Sequence, residues 1–348
     1  MQNQTVASRA MSFRLQLQRR FGNSLALVLI AVGVFVVLHA AIPKGLPFFG
    51  QVIIDGLTNG GIYALIALGY TMVYGIIELI NFAHGDVFTL GGFIGLPLIG
   101  ALGLNQSNIG GFHLVIGLLG VFLIAMVITG VVNVTIERVA YRPLRNAPRV
   151  APLITAVGMS FVLEGLMNIT EGPSNVNYPD VLPDVTLNVG PVTFGSKQVL
   201  VVVIAVVLTL ALTTFINGTK LGKAMRATAQ DRDASALMGI DINRTIAATF
   251  FIGAVLAAAG GIIYGLYFNT IRFDLGYQTG LYAFTAAVFG GIGNIYGAAL
   301  GGLFIGFVGA VSDSYGSHEW TNIYIFGILI LVLVFRPTGL LGMRVPEK

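Results

Sequence analysis

Residues 198–217 read Gln-Val-Leu-Val-Val-Val-Ile-Ala-Val-Val-Leu-Thr-Leu-Ala-Leu-Thr-Thr-Phe-Ile-Asn, a stretch without any charged side chain. A helix of about 20 residues rises roughly 30 Å, which is the thickness of the hydrocarbon core of a bilayer. The stretch is apolar throughout, whereas a strand of a membrane β-barrel alternates apolar and polar residues. It therefore predicts a transmembrane helix.

Similar apolar stretches recur along the chain, which has 348 residues of which 55% are hydrophobic and only 10% are charged. A soluble domain usually carries about a quarter charged residues. Further spans are predicted at 24–42, 49–73, 84–104, 112–136, 151–170, 246–268 and 321–335. The sequence Gly290-Gly291-Ile292-Gly293-Asn294 divides the remaining stretch, 279–311, into a short descending segment and an ascending helix from about Tyr296. We therefore predict an all-α integral membrane protein with about 8–10 transmembrane helices, including short or broken ones.

The placement of basic residues predicts the orientation. With both termini in the cytoplasm, only Lys44, Lys197 and Arg272 of the 19 Lys and Arg residues lie outside, as the positive-inside rule requires. The predicted organisation is a cytoplasmic N-terminal arm, a transmembrane domain with one periplasmic and one cytoplasmic loop, and a cytoplasmic tail. The arm spans 1–23, the transmembrane domain 24–342 and the tail 343–348. Within the domain, the periplasmic loop spans 171–197 and the cytoplasmic loop spans 219–240. Residues 24–42 could alternatively belong to a cleaved signal peptide, but the long basic arm and long apolar run favour an uncleaved helix.

Several kinds of chemistry are not supported by the sequence. The chain has no cysteine, and its four histidines do not have metal-ligand spacing. The stretch Gly218–Ala224 has the wrong spacing for a phosphate-binding loop, and Gly291-Ile-Gly293 follows no strand of a dinucleotide-binding fold. We therefore predict no catalytic site, no metal, no nucleotide site and no nucleic-acid partner.

The cytoplasmic stretch 219–240 is rich in alanine and in charges. It predicts a short solvated helix closed by a C-cap at Gly239. Such a helix could be an ordinary amphipathic connector. Its position between two spans and its small residues favour instead a projection that docks into a cleft of a partner protein.

Two Gly-rich stretches echo each other and provide candidates for a transport pathway. One runs from Asn81 through His84, Gly85 and Asp86 to Gly91-Gly92, and the other contains Gly290, Gly291 and Gly293. Gly-interrupted segments in corresponding positions are typical of transporter repeats. The alternatives are structural: helix packing for the glycines, an N-terminal anion for Asp86 and a hydrogen-bonded turn for His84. Other ionisable residues predicted at membrane depth are Asp55, Glu78 and Glu164.

Motifs along residues 50–342 resemble the branched-chain amino-acid permease family of ABC importers, in particular the first of its two paired permease subunits. They include Gly61-Ile-Tyr-Ala-Leu-Ile-Ala-Leu-Gly69, Ile80-Asn-Phe-Ala-His-Gly85, Glu137-Arg-Val-Ala-Tyr-Arg-Pro143, Ala283-Phe-Thr-Ala-Ala-Val-Phe-Gly-Gly-Ile-Gly293 and Arg336-Pro-Thr-Gly-Leu-Leu-Gly342. The stretch 219–240 resembles the family's coupling helix but lacks its Glu-Ala-Ala triplet. Residues assigned to ATPase coupling on this basis are Gly222, Lys223, Arg226, Ala227, Asp231, Ala234 and Gly239.

The resemblance implies a type II ABC importer-like permease of the bacterial inner membrane. Two permease subunits would form the pathway, two ATPase subunits would bind the coupling helices, and a periplasmic binding protein would deliver a branched-chain amino acid. This chain would bind no cofactor, since ATP would lie on the partner subunits. A permease for urea or short amides is an alternative within the family. An ion-coupled transporter would need an intramembrane carboxylate or proton relay, and an intramembrane enzyme would need a Ser/Lys or paired-Asp arrangement within the spans. Neither is evident.

Overall fold

The computed structural model describes residues 45, 47–105, 111–145, 147, 148, 150–183, 185–190 and 192–342. The predicted N-terminal arm, the predicted span 24–42 and the tail 343–348 lie outside these residues. Seven of the described helices are long and apolar enough to cross a membrane, which confirms the predicted fold class. They are α1 (Pro47–Ile77), α3 (Gly111–Ile136), α4 (Val150–Glu171), α5 (Ser196–Gly218), α8 (Ile242–Phe268), α10 (Ile295–Tyr315) and α11 (His318–Phe335).

Four further helices complete the described part of the chain. Two lie among the spans, α2 (His84–Ala101) and α9 (Leu275–Gly290), and two are short, α6 (Lys220–Gln230) and α7 (Arg232–Leu237). Helix α3 continues as a π-helical turn over Glu137–Tyr141 and a 3₁₀ turn over Arg142–Leu144. We call the end of the molecule that carries α6 and α7 the coupling end. The end that carries residues 172–195 is the loop end.

Helix α2 runs alongside α8 in the same direction, and glycines let the two backbones touch. Gly91 packs on Ala258, and Gly92 packs on Gly261. The ring of His84, at the start of α2, lies beside Gly253, which is about three turns after α8 begins. Helix α2 therefore starts inside the bundle. The sequence had suggested that this Gly-rich helix, like its counterpart α10, starts at the cytoplasmic side.

The turn between α1 and α2 explains this position. Helix α1 stops at Glu78, which has a left-handed backbone with φ of 54°. Residues 78–83 then lead back into the bundle, and the His84 N–H closes the turn by donating to the Asn81 carbonyl at 3.0 Å. The break predicted between these two helices is present, and the chain reverses within the bundle.

The predicted break in 279–311 is confirmed as the turn between α9 and α10. Gly291 and Gly293 have φ of 108° and 91°, which only glycine adopts readily. The Asn294 side chain then caps α10 by accepting from the Gly297 N–H at 3.1 Å. Gly290 and Gly297 face each other so closely that a methyl group on either would overlap the other's backbone.

The C-terminal segment 339–342 holds this turn in place. The N–H groups of Leu340 and Leu341 donate to the carbonyls of Phe289 and Gly290, both at 2.9 Å. The Asn294 side-chain amide donates to the Leu341 carbonyl at 2.8 Å. This segment thus satisfies carbonyls that the last turn of α9 leaves without an intrahelical partner.

The segment predicted as a loop, 171–197, contains short strands at the loop end. Strand β1 (Val176–Asn177) pairs with β4 (Thr270–Ile271), and β2 (Thr186–Val189) forms a hairpin with β3 (Val192–Gly195). The first pair ties the segment after α4 to the segment after α8. Tyr178, which directly follows β1, is buried. Its hydroxyl donates to the Gly92 carbonyl at 3.3 Å, and burial raises the pKa of Tyr178.

Candidate coupling surface and transport pathway

The predicted coupling helix is in fact two helices, α6 and α7, because Asp231 interrupts it. Asp231 has an extended backbone, and its carboxylate accepts from the N–H groups of Asp233 at 2.9 Å and Ala234 at 3.0 Å. This is an N-cap, which begins a new helix. The prediction of a single helix was wrong at this residue.

The predicted C-cap at Gly239 is confirmed. Gly239 has φ of 81° and donates to the Ala236 carbonyl, while the Ile240 N–H donates to the Ser235 carbonyl, each at 3.0 Å. These two bonds form a Schellman motif, in which glycine avoids the cost of a left-handed backbone. The short helix α7 is therefore capped at both ends by its own residues.

Helix α6 is fixed against the end of α5. Gly222 is buried, and a methyl group there would overlap the Ile216 carbonyl. The Arg226 guanidinium donates to that same carbonyl and lies 3.5 Å from the Asn217 side-chain oxygen. A cation placed on the last carbonyls of a helix is favourable. Two of the residues predicted for ATPase coupling, Gly222 and Arg226, therefore join α6 to α5.

A second connection leads from α7 to α1. The Arg232 guanidinium donates to the Ile76 carbonyl at 3.1 Å, one residue before α1 ends. Nearby, Arg145 donates to the Asn243 side chain at 2.8 Å and pairs with the buried Glu137, joining the end of α3 to the start of α8. Burial lowers the pKa of Arg145, although Glu137 acts to raise it.

The tip of this helix pair is apolar and exposed. Leu237 is 89% exposed and Met238 is 83% exposed, at the junction between α7 and its glycine cap. Of the other predicted coupling residues, Lys223, Asp231, Ala234 and Gly239 are exposed and Ala227 is half-buried. Our sequence reasoning missed Leu237 and Met238. Two large apolar residues next to a glycine cap in a polar loop were the available signal.

Three of the pathway candidates form a buried polar cluster at the start of α2. Asn81 accepts from the Tyr141 hydroxyl at 2.7 Å, and Asp86 accepts from the Ser160 hydroxyl of α4. The His84 ring packs edge-on against Tyr70, with ring centroids 4.9 Å apart. Asn81, His84 and Asp86 are at most 1% exposed. The cluster thus joins α1, α2, α3 and α4.

The glycine candidates lie at close contacts between backbones. Gly85 packs against Gly276 and Gly280 of α9, and Gly91 and Gly92 pack against α8 as described above. At the other end of α9, Gly290 packs against Gly297 and Gly291 against Gly342, while Gly293 lies beside Gly75. These contacts place Gly85, Gly91, Gly92 and Gly290 at helix-packing positions, and Gly291 and Gly293 in the turn after α9. A role in the pathway stays a prediction.

A cleft of about 660 Å³ opens between α4, the end of α8 and the start of α9. Its lining includes the charged residues Glu164, Arg272 and Asp274. Arg272 donates through two nitrogens to both carboxylate oxygens of Asp274, and this bond raises the pKa of Arg272. Glu164 was predicted at membrane depth, but the other two were not among the candidate residues. The cleft lies close to the cluster around Asp86, because Ser160, which donates to Asp86, and Glu164, which lines the cleft, are one turn apart on α4.

A bundle of seven apolar spans, two shorter interior helices and a polar helix pair fixed at one end defines a multi-pass membrane permease. The chain matches the family described as branched-chain amino acid transport system / permease component over residues 52–333. It is 41% identical to the high-affinity branched-chain amino acid transport system permease protein LivH of Escherichia coli K12 over 305 residues, 86% of this chain and 98% of that protein.

Two further relatives extend the comparison. BraD of Pseudomonas aeruginosa, a permease protein of the same kind of system, is also 41% identical over 305 residues, 86% of this chain and 97% of that protein. The probable permease LivM of Methanocaldococcus jannaschii is 24% identical over 318 residues, 84% and 86% of the two chains. No solved structure gives a significant match. This chain belongs to the branched-chain amino acid transport permease family and is a multi-pass protein of the bacterial inner membrane.

Proposed function

We propose that this chain is a permease subunit of an ATP-binding-cassette importer that takes up branched-chain amino acids. The observation that carries the proposal is the helix pair α6–α7, whose exposed tip at Leu237 and Met238 projects from a base tied to α1 and α5. The substrate class comes from relatives with 41% identity, which are named as branched-chain amino acid permeases.

The proposed complex contains a second permease subunit, two ATP-binding subunits and a periplasmic substrate-binding protein. A paired permease is supported by the likeness of this chain to both LivH and LivM proteins. ATP binds the partner subunits, and this chain carries neither a nucleotide site nor another cofactor. The exposed apolar faces of α4, α5 and α11 contact lipid or the second permease. With α6 and α7 in the cytoplasm, the loop end faces the periplasm and both termini lie inside.

The contacts at the coupling end give a route for the motion. An ATPase that displaces α7 also displaces Arg232 and, through its bond to the Ile76 carbonyl, the end of α1. The next residues form the turn 78–83, which leads to α2 and its buried Asp86. A shift of α7 therefore reaches the start of α2 through one hydrogen bond and one short turn, and so can switch the pathway between outward and inward access.

The proposal is tested by leucine uptake into proteoliposomes that contain the complete complex. Uptake should require both ATP and the binding protein. Uptake driven by an ion gradient in the absence of ATP would contradict the proposal.

The docking tip is tested by Leu237→Asp, which places a charge where an apolar side chain enters the ATPase. We expect loss of ATPase co-purification while the chain still inserts in the membrane. The matched control is Gln230→Asp, which adds the same charge to the exposed junction before α7 and keeps the apolar tip. Equal retention of the ATPase by both variants would refute this docking site.

A further inference from the structure

The cleft at the loop end carries charged groups at a depth where the neighbouring surface is apolar. Glu164 lies about two turns before the end of α4 and is half-buried, and the exposed residues of α4 near it include Phe161, Val162 and Ile169. A charged side chain facing hydrocarbon is costly, and such residues normally face a water-filled cavity or the interior of an assembly. The cleft is therefore a wet space within the complex, and lipid does not fill it.

The charges in the cleft are not fully matched within the chain. Arg272 and Asp274 pair with each other, which uses two of the five N–H donors of the guanidinium. Among the described residues Glu164 makes no hydrogen bond or ion pair. The cleft thus offers one carboxylate without a counter-charge and a guanidinium with spare donors.

Apolar and aromatic side chains also line the cleft. Phe161 of α4 and Leu275, the first residue of α9, line it together with the aromatic rings of Tyr264 and Tyr277. A cavity of this size and mixed lining suits a small molecule that is held by a few polar groups and by apolar contact. Its wall would accept an aliphatic side chain.

From these three features we infer that the cleft binds a small zwitterion with an aliphatic side chain. Its ammonium group lies against Glu164, its carboxylate against the free donors of Arg272, and its side chain against Phe161 and Leu275. The inference rests on the proposed function and makes it more specific, since it assigns the outward-facing substrate site of this permease to named residues of α4 and of the segment before α9.

A labelling experiment tests the site without requiring transport. The chain has no cysteine, so Tyr277→Cys gives one reactive thiol at the edge of the cleft, where Tyr277 is exposed. The probe is a membrane-impermeant, positively charged methanethiosulfonate, applied to membranes that contain the full complex without binding protein. Millimolar leucine should slow the labelling. Should Tyr277→Cys fail to fold, Asn175→Cys, which also lines the cleft, replaces it.

Two analogues separate the contributions of the charged groups. We expect 4-methylpentanoate, which lacks the ammonium group, and 3-methylbutylamine, which lacks the carboxylate, each to protect less well than leucine. Glu164→Gln in the labelled variant should raise the leucine concentration for half-protection about tenfold or more. The control Glu171→Gln removes the same charge at the exposed end of the same helix, outside the cleft, and should leave protection unchanged.

The outcomes distinguish this inference from the proposed function. ATP-dependent leucine uptake without protection in either cysteine variant overturns the site and leaves the function intact. Protection by leucine together with uptake that needs no ATP overturns the function and leaves the site intact. Equal effects of Glu164→Gln and Glu171→Gln overturn the role of Glu164.

Discussion

The guanidinium of Arg232 lies 3.1 Å from the carbonyl oxygen of Ile76, so the first residue of α7 is bonded to the end of α1. The two residues are far apart in sequence. Through this contact, the part of the chain that would meet the ATPases touches the helix that leads to the buried polar cluster. In the proposed mechanism this bond transmits the motion of α7 to α1, and it can be removed without changing the exposed tip of α7.

Arg232→Ala should therefore lower leucine uptake several-fold while the ATPase subunits still co-purify, because docking is kept and transmission is weakened. Uptake and ATP hydrolysis are measured together in proteoliposomes, and the ratio of leucine taken up to ATP consumed should fall. Arg244→Ala is the control, since the Arg244 side chain is 89% exposed and pairs with Asp241 one turn earlier. A similar ratio in both variants would argue against the role of Arg232.

Gly239→Ala should weaken ATPase association, because alanine at a φ of 81° costs about 1–2 kcal/mol. The strain is relieved by undoing the Schellman motif, which moves Leu237 and Met238. Gly239→Asn should be milder, since asparagine tolerates a left-handed backbone better than alanine. Co-purification of the ATPase from detergent extracts measures the effect. The wild type should retain the most ATPase, Gly239→Asn less, and Gly239→Ala the least.

Gly261→Ala should destabilise the contact between α2 and α8, since a methyl group there would overlap the Phe88 carbonyl. The matched change is Gly158→Ala in α4, where nothing lies within 4 Å of the added carbon. Alanine is the better helix former by about 0.5–1 kcal/mol, so this second variant should be neutral or slightly more stable. Thermal unfolding in detergent should give a lower midpoint for Gly261→Ala than for Gly158→Ala. Identical midpoints would contradict the close packing of α2 on α8 at Gly261.

Tyr141→Phe should lower stability by about 1–3 kcal/mol, because it leaves the buried Asn81 side-chain oxygen without its hydrogen bond at 2.7 Å. The same change at Tyr296, which is 57% exposed at the start of α10, removes a hydroxyl from the surface and should have little effect. The same unfolding measurement applies. A larger loss of stability for Tyr296→Phe than for Tyr141→Phe would contradict this prediction.

The sequence predicted those features that depend on neighbouring residues. The apolar stretches gave the spans, Gly239 predicted the cap of α7, and the glycines at 290–293 predicted the break before α10. Asp231 was noted as a charge in an alanine-rich helix. The structure shows that its carboxylate caps a second helix, a competing use of the same side chain that composition does not reveal.

The depth of α2 and the cleft at the loop end were not predictable from local patterns. A turn such as 78–83 shows that one helix ends and another begins, but not how far the chain reverses into the bundle. Similarly, Glu164 and Asp274 share a cleft partly because β1 pairs with β4, residues about a hundred positions apart in the chain. Such long-range pairing depends on the packing of whole helices.

The contact between segment 339–342 and the turn after α9 has a consequence for how the protein is made. The carbonyls of Phe289 and Gly290 find their partners in Leu340 and Leu341, which leave the ribosome some fifty residues later. The hairpin of α9 and α10 can thus enter the membrane before the segment that secures its turn has been made. Until Leu340 and Leu341 are added, the last turn of α9 keeps two carbonyls without their backbone partners.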